Sequence, residues 1–449
     1  MTSTRTYRLG AAPGGIPFLG NALQIFRNPL TFLPDLRHRG DLVTLKLGRE
    51  TVYMAVTHDV VQEVLHNPRV FDKGGEFIEK MRLLLGDGVG TCSVTTHKRQ
   101  RRFIQPAFQK AKLERYSTVM QERVGELIDS WHEGQRVDVG TELSKLTARV
   151  TAQAMFSSDI GADAIAEVQR CFPVVWKGIY RRMILPVPLL HSAPTKSNKA
   201  YHEALQGLEG VISEMVAAYR ADPRKDRDDI LSILLSAKDE ETGEGLTDEG
   251  VRDELMTILA AGVETPASGL TWAFYLLGQN PDVERELLKE VDEVLGGRTA
   301  GFDDVASLPY TTRVATEALR MYPPVWFITR RTTQDTTLAG HPIPGGTSIL
   351  FSPYALHRDP DLFSDPDEFI PDRWLPENVR KLPKNAPIMF SGGSRKCLGD
   401  VLANHEMTIA LASIAARYRL RPVPGHTIRP VAKAELTTGP LPMTVEGRG

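Results

Sequence analysis

The chain has 449 residues with 54 basic and 56 acidic side chains, so no electrostatic excess marks it as a nucleic-acid binder. Hydrophobic residues make up 41% and charged residues 24%, the balance of a soluble globular protein able to bury a large core. Three cysteines, Cys92, Cys171 and Cys397, are too few for a disulfide framework and fit a reducing, cytoplasmic compartment.

Residues 1–15 are expected as an N-terminal tail. They contain no apolar stretch long enough for a signal sequence or a span, so no membrane anchor is expected. Residues 16–449 read as one large domain, because Pro and Gly are scattered and no repeat period appears. Leu42 to Gly48 and Thr51 to Val56 alternate and are rich in β-branched residues, which predicts a hairpin. The glycines between Leu84 and Gly90 and the basic run His97 to Arg102 are weak signals alone, compatible with a phosphate loop and a solvated face. From Lys112 to Leu235, apolar spacings of three and four predict helices. A polar loop, Lys238 to Gly250, precedes a long apolar helix from about Val251 to Leu277 that is expected to be central. A further helix carries Glu317 and Arg320, and a proline-rich, irregular meander then runs through Pro387. Ala434 to Val445 reads as a second hairpin, so the fold class is mainly α with small β-sheets.

The sharpest local signal is Phe390-Ser391-Gly392-Gly393-Ser394-Arg395-Lys396-Cys397-Leu398-Gly399. A lone cysteine is most often a small buried hydrophobe, the reading adopted for Cys92 and Cys171. Cys397 differs, because its glycines allow close backbone approach to a flat ligand and turn N–H groups toward a thiolate, while Arg395 suits a nearby carboxylate. The loop resembles the haem-binding motif Phe-x-x-Gly-x-Arg-x-Cys-x-Gly of the cytochrome P450 family, with every fixed position matched. Further motifs follow in that family's order from about residue 13 to residue 445.

The resemblance implies the family's fold, a single large domain around a buried haem b whose iron is ligated by Cys397, the thiolate pushing electron density toward O–O cleavage. Glu317 and Arg320, with Arg373 from Phe369-Ile370-Pro371-Asp372-Arg373-Trp374, resemble a structural charge cluster locking the meander onto its helix. His97 and Arg101, one helical turn apart, and Arg330 resemble haem-propionate partners, joined by Phe390 and Arg395 of the cysteine loop. Within Ala261-Gly262-Val263-Glu264-Thr265, Thr265 resembles the oxygen-activating threonine with Glu264 as its acid partner, and Gly262 would leave room for a diatomic ligand. Pro266 departs from the family pattern and predicts a kink.

The family implies O2 and electrons from NAD(P)H through a ferredoxin and a ferredoxin reductase, since this chain has no flavin or nicotinamide fingerprint. Lys98, Arg99, Arg102, Lys384 and Lys396 offer either a donor-docking patch or ordinary surface solubility. Family substrate positions fall on Phe77, Trp176, Ile179, Ala261, Val325, Trp326 and Phe327, an apolar set without fixed charge that suits a small hydrocarbon. Tyr180 to Met183 with Pro186 and Pro188, Val325-Trp326, and Phe351 to Ala355 resemble members that oxidise sesquiterpene hydrocarbons such as pentalenene in antibiotic biosynthesis. A haem-thiolate sensor and a peroxide-driven oxygenase remain as alternatives, the first disfavoured because binding alone needs no proton supply.

Overall fold

Leu9–Ala11 (β1) lies parallel to Leu42–Leu47 (β2), which turns at Gly48, φ +61°, into the antiparallel Glu50–Ala55 (β3). The predicted hairpin is thus present, with Leu42 opposite Ala55 and Leu47 opposite Glu50. β1 falls inside the segment expected as a tail and is part of the sheet. The computed structural model describes residues 6–156, 161–184, 188–221 and 229–448. Pro186 lies outside the described residues.

The other strands are Phe71–Lys73 (β4), Arg136–Asp138 (β5), Ile328–Thr332 (β6), Thr336–Leu338 (β7), His341–Ile343 (β8), Ser348–Phe351 (β9), Tyr418–Pro422 (β10), Val431–Ala432 (β11), Leu436–Thr437 (β12) and Pro442–Gly447 (β13). The largest sheet has the order β1-β2-β3-β9-β6-β4. The chain after Tyr322 is therefore less irregular than its prolines suggest. β6 and β9 are short runs rich in β-branched residues that complete a sheet begun at Leu9, a long-range pairing invisible to local pattern. The C-terminal hairpin expected over Ala434 to Val445 is corrected too, since β12 pairs with β11 whereas β13 pairs with β10 and β5.

The helices that build the site are Glu76–Leu85 (α1), Val94–Ile104 (α2), Lys110–Asp129 (α3), Val139–Phe156 (α4), Gly161–Ile184 (α5), Lys196–Ala221 (α6), Asp248–Gln279 (α7), Pro309–Met321 (α8) and Asp400–Arg417 (α9). α7 starts where Thr247 Oγ1 accepts from Gly250 N at 3.1 Å, with Asp248 and Glu249 in its first turn favouring the positive end of the helix dipole. It is apolar on nearly all sides because α4, α8 and α9 pack around it. Pro266 does not end the helix, which continues to Gln279.

Candidate active site

The cysteine loop is held by its own backbone. Cys397 N donates to Phe390 O at 3.0 Å and Lys396 N to Gly393 O at 3.2 Å, which closes a tight turn around the sulfur. Gly393 has φ +63°, and a Cβ there would lie 2.2 Å from Leu65 O, so conformation and space both demand glycine. Among the three cysteines only Cys397 keeps an exposed surface. Burial raises its thiol, while the Gly399 N–H and the charges of Lys73 and Arg101 favour the thiolate.

Beside this loop the structure gathers an excess of buried positive charge. Arg395 donates to Asp72 Oδ1 at 2.7 Å and to Cys92 O at 3.0 Å, and its buried Nε has no partner among the described residues. Arg330 is buried, and its guanidinium donates to its neighbour's carbonyl, Thr329 O, at 2.9 Å, with no other side-chain bond among the described residues. Lys73 sits across the β4–β6 ladder from Arg330 and reaches the carbonyls of Val89, at 3.3 Å, and Gly90. Burial, then repulsion from Arg330 and Arg395, lowers the Lys73 pKa to about 7, and burial with Arg395 lowers that of Arg330 to about 10. His97 is buried on α2 and held neutral, at about 3, by burial and then by Arg395 and Lys73. Arg101 takes a different place from the other cations. It donates to Lys396 O at 2.8 Å and Ser394 O at 3.4 Å, bracing the cysteine loop against α2.

The second predicted constellation forms completely. Arg320 donates from Nε to Glu317 Oε2 at 2.8 Å and from Nη2 to Oε1 at 2.9 Å, a bidentate pair with both residues fully buried. Arg373 Nε adds a bond at 3.2 Å, Trp374 Nε1 one at 2.9 Å, and Ile370 N one at 3.2 Å, all to the same carboxylate. Arg320 Nη1 satisfies the carbonyls of His357 and Pro366, each at 2.8 Å, so α8 clasps the meander at several points.

On α7, Thr265 Oγ1 donates to Ala261 O at 2.6 Å, and Ser144 Oγ on α4 donates to Glu264 Oε1 at 3.5 Å. Burial raises the Glu264 carboxyl to about 6. The expectation for Gly262 is corrected. A Cβ there would lie 2.7 Å from Thr151 Oγ1, so this glycine serves the close crossing of α4 and α7 rather than space for a ligand. Ala261, in the middle of this buried helix, is nevertheless exposed and so borders an interior space. The glycine loop before α2 is not a phosphate cradle, because Asp87 N donates to Asp253 at 2.9 Å and Val89 N to Glu254 at 2.9 Å, both on α7.

The expected substrate residues divide. Phe77 on α1, Phe327 and Trp326 form a continuous aromatic wall, with ring centroids 4.8 Å apart for the first pair and 4.6 Å for the second. Val325 is exposed beside it. Trp176 and Ile179 lie together on α5, where Trp176 stacks on Phe172 at 6.3 Å and Ile179 is fully buried. The basic surface residues are largely engaged, with Arg99 near Asp239 and Glu244, Arg102 near Glu241, and Lys396 on Asp400 at 2.5 Å.

A family model for cytochrome P450 matches residues 11–446. The chain is a cytochrome P450. It is 48% identical over 446 residues to cyclooctatin synthase of Streptomyces melanosporofaciens, covering 99% of this chain and 97% of that one. It is 44% identical to cyclooctat-9-en-7-ol 5-monooxygenase of the same organism, covering 99% and 96%, and 40% identical to pentalenene oxygenase of Streptomyces avermitilis, covering 96% of each. Among the described residues no helix is long and apolar enough to cross a membrane.

The P450 haem, bound through the Cys397 thiolate, fits this site on two counts. Lys73, Arg330 and Arg395 are buried together, with Asp72 bonded to Arg395 and the Glu254 carboxyl near Lys73, a largely repulsive cluster that two propionates would neutralise, and the Arg395 Nε, which has no partner among the described residues, supplies a ready donor. Sequence reading missed Asp72 and Lys73, since a lone Asp-Lys pair looks like a solvated strand end. It also missed Glu435, whose carboxylate belongs to a turn read only as part of a hairpin.

Proposed function

We propose that this monooxygenase hydroxylates a polycyclic terpenoid. The carrying observation is the uncharged aromatic cluster Phe77–Phe327, backed by the fully buried Trp326, a rigid apolar group suited to a ring skeleton. Burial of hydrocarbon there contributes roughly 25 cal/mol per Å², enough to bind without an ionic anchor. The relatives support this reading, being named for cyclooctatin, cyclooctat-9-en-7-ol and pentalenene. Two of them argue against restricting the substrate to a pentalenene-like hydrocarbon, the narrower expectation from sequence.

The reaction joins one oxygen atom of O2 to a C–H carbon and reduces the other to water with two electrons and two protons. The haem supplies the oxidising chemistry, and this chain's residues bind, orient and deliver protons. Lys73, His97, Arg330 and Arg395 would hold the propionates, and Arg101 holds the loop. Glu264, near neutrality at about 6 and bonded by Ser144, is suited to pass protons inward, with the Thr265 hydroxyl next along the helix. Electrons come from a ferredoxin and its reductase, for which the exposed Lys98 and Lys384 remain without carboxylate partners among the described residues. Titrating holoprotein with pentalenene and with cyclooctat-9-en-7-ol tests the reading. A high-spin shift at low micromolar ligand, with NADPH-dependent hydroxylation seen by mass spectrometry, is expected. Turnover by peroxide alone, or a shift only with a charged metabolite, would overturn it.

A further inference from the structure

Glu435 is a largely buried acid whose charge interacts with that of Glu264 on α7. It lies in the turn between β11 and β12, and that turn is stapled to the substrate region at four points. Leu436 O accepts from Ser268 Oγ at 2.9 Å and from Trp272 Nε1 at 3.1 Å, both on α7. Leu436 N donates to Pro324 O at 3.0 Å, and Lys433 O accepts from Trp326 Nε1 at 2.8 Å. The aromatic wall therefore hangs from the same turn that carries Glu435, and Ser268 is one helical turn beyond Glu264.

Protein surrounds the Glu435 carboxyl, yet the residue keeps part of its surface accessible, so it is not sealed in solid packing. Its carboxyl has no hydrogen-bond or ion-pair partner among the described residues, although its backbone carbonyl accepts from Lys433 N at 3.0 Å. Burial pushes its pKa well above the ordinary carboxylate range, and the charge of Glu264 pushes the same way. Leaving such a group unmatched is costly, and a purely hydrocarbon ligand would leave it so. A protonated carboxyl both donates and accepts, as a hydroxyl does, so the two match without any net charge.

We propose that Glu435 binds a hydroxyl already present on the substrate, so that the protein oxidises a terpene alcohol in preference to the parent hydrocarbon. The inference rests on the terpenoid reading above and deepens it. It also sets the enzyme's place in a sequence of reactions. An earlier step must install that oxygen, either by hydroxylation with O2, two electrons and two protons, the second oxygen leaving as water, or by water capturing the carbocation of the cyclisation with loss of a proton.

The test is a spectral titration of holoprotein with a matched pair, cedrene and cedrol, and with cyclooctat-9-en-7-ol, for wild type, Glu435→Gln and Glu435→Leu. The carbon monoxide difference spectrum of each variant checks that the haem site is intact. Wild type is expected to bind the alcohols at least about tenfold more tightly than cedrene. Glu435→Leu should abolish or invert this preference, and the isosteric Glu435→Gln should keep part of it. Equal affinities in wild type, or a preference that survives Glu435→Leu, would overturn the role of Glu435 while leaving the terpenoid reading standing. No shift with any of the three ligands up to their solubility would instead overturn the terpenoid reading itself, and this inference with it.

Discussion

Arg395 Nη2 lies 2.7 Å from Asp72 Oδ1, a buried pair that fastens the cysteine loop to β4, more than 300 residues away in sequence. The same carboxylate accepts from Val94 N at 2.8 Å, at the entry to α2. Asp72→Asn would remove the negative charge that is bonded to Arg395 and faces Arg330. Breaking a buried pair in this way costs about 3–5 kcal/mol. The apoprotein is expected to melt well below wild type, with haem partly restoring stability because the propionates supply the missing charge. Equal melting of apo wild type and variant would show that solvent reaches the pair.

Cys397→Ser replaces the thiolate by a hydroxyl without disturbing the Cys397 N to Phe390 O bond. The ferrous carbon monoxide complex should lose the long-wavelength band of thiolate ligation. An unchanged spectrum would refute the ligand assignment.

Arg373→Ala leaves Glu317 with Arg320 but removes the bonds from Arg373 to Ser364 O, at 2.6 Å, and Asp365 O, at 3.1 Å. Because the meander then loses part of its tie to α8, little haem-loaded protein should accumulate. Full haem content and unchanged melting in that variant would show that Trp374 and Ile370 suffice.

What was legible in the sequence had a local signature. The cysteine loop and the Glu317–Arg320 pair are spaced so that backbone turns or one helix face bring their parts together, and the structure joins them as expected. Arg373 was legible only through its motif. Asp72, Lys73 and Glu435 were not, since each acquires its role from a strand or turn placed by long-range pairing, β4 on β6 and Leu436 on α7. Gly262 was misread for a related reason, because a glycine in a helix does not reveal which neighbour needs the space.

His357 gives a pH dependence of definite sign. Its Nδ1 bonds Arg320 O at 3.1 Å, and Ile388 N donates to its Nε2 at 3.1 Å, a pattern that needs the neutral ring. Burial and then the Arg320 charge lower its pKa to about 3. The unfolded chain takes up a proton near pH 6.5 whereas the folded chain does not until about 3, so this contribution is complete above pH 6.5 and is lost as pH falls toward 3. Each pH unit in that window costs about 1.4 kcal/mol from this group. His357→Gln should melt below wild type at pH 7 by a margin that narrows at pH 5. A margin independent of pH would mean that the ring titrates in the folded protein as it does in the unfolded chain.

Thr265→Ala separates proton delivery from helix structure. The Thr265 hydroxyl now donates to Ala261 O at 2.6 Å, an intrahelical bond that contributes little to stability and leaves its oxygen free to accept. Pro266 follows directly and brings no N–H, so the carbonyl of Gly262 lacks its usual partner and water has a place to bind beside Thr265. Removing the hydroxyl should therefore leave haem content and melting near those of wild type. Peroxide released per NADPH should rise several-fold as product falls. Glu264→Gln should slow turnover and also flatten its dependence on pH near 6, because the group that titrates there is gone. If Thr265→Ala stays fully coupled while Glu264→Gln does not, protons reach the site from Glu264 through water ordered at the Gly262 carbonyl, and the threonine is ordinary helix.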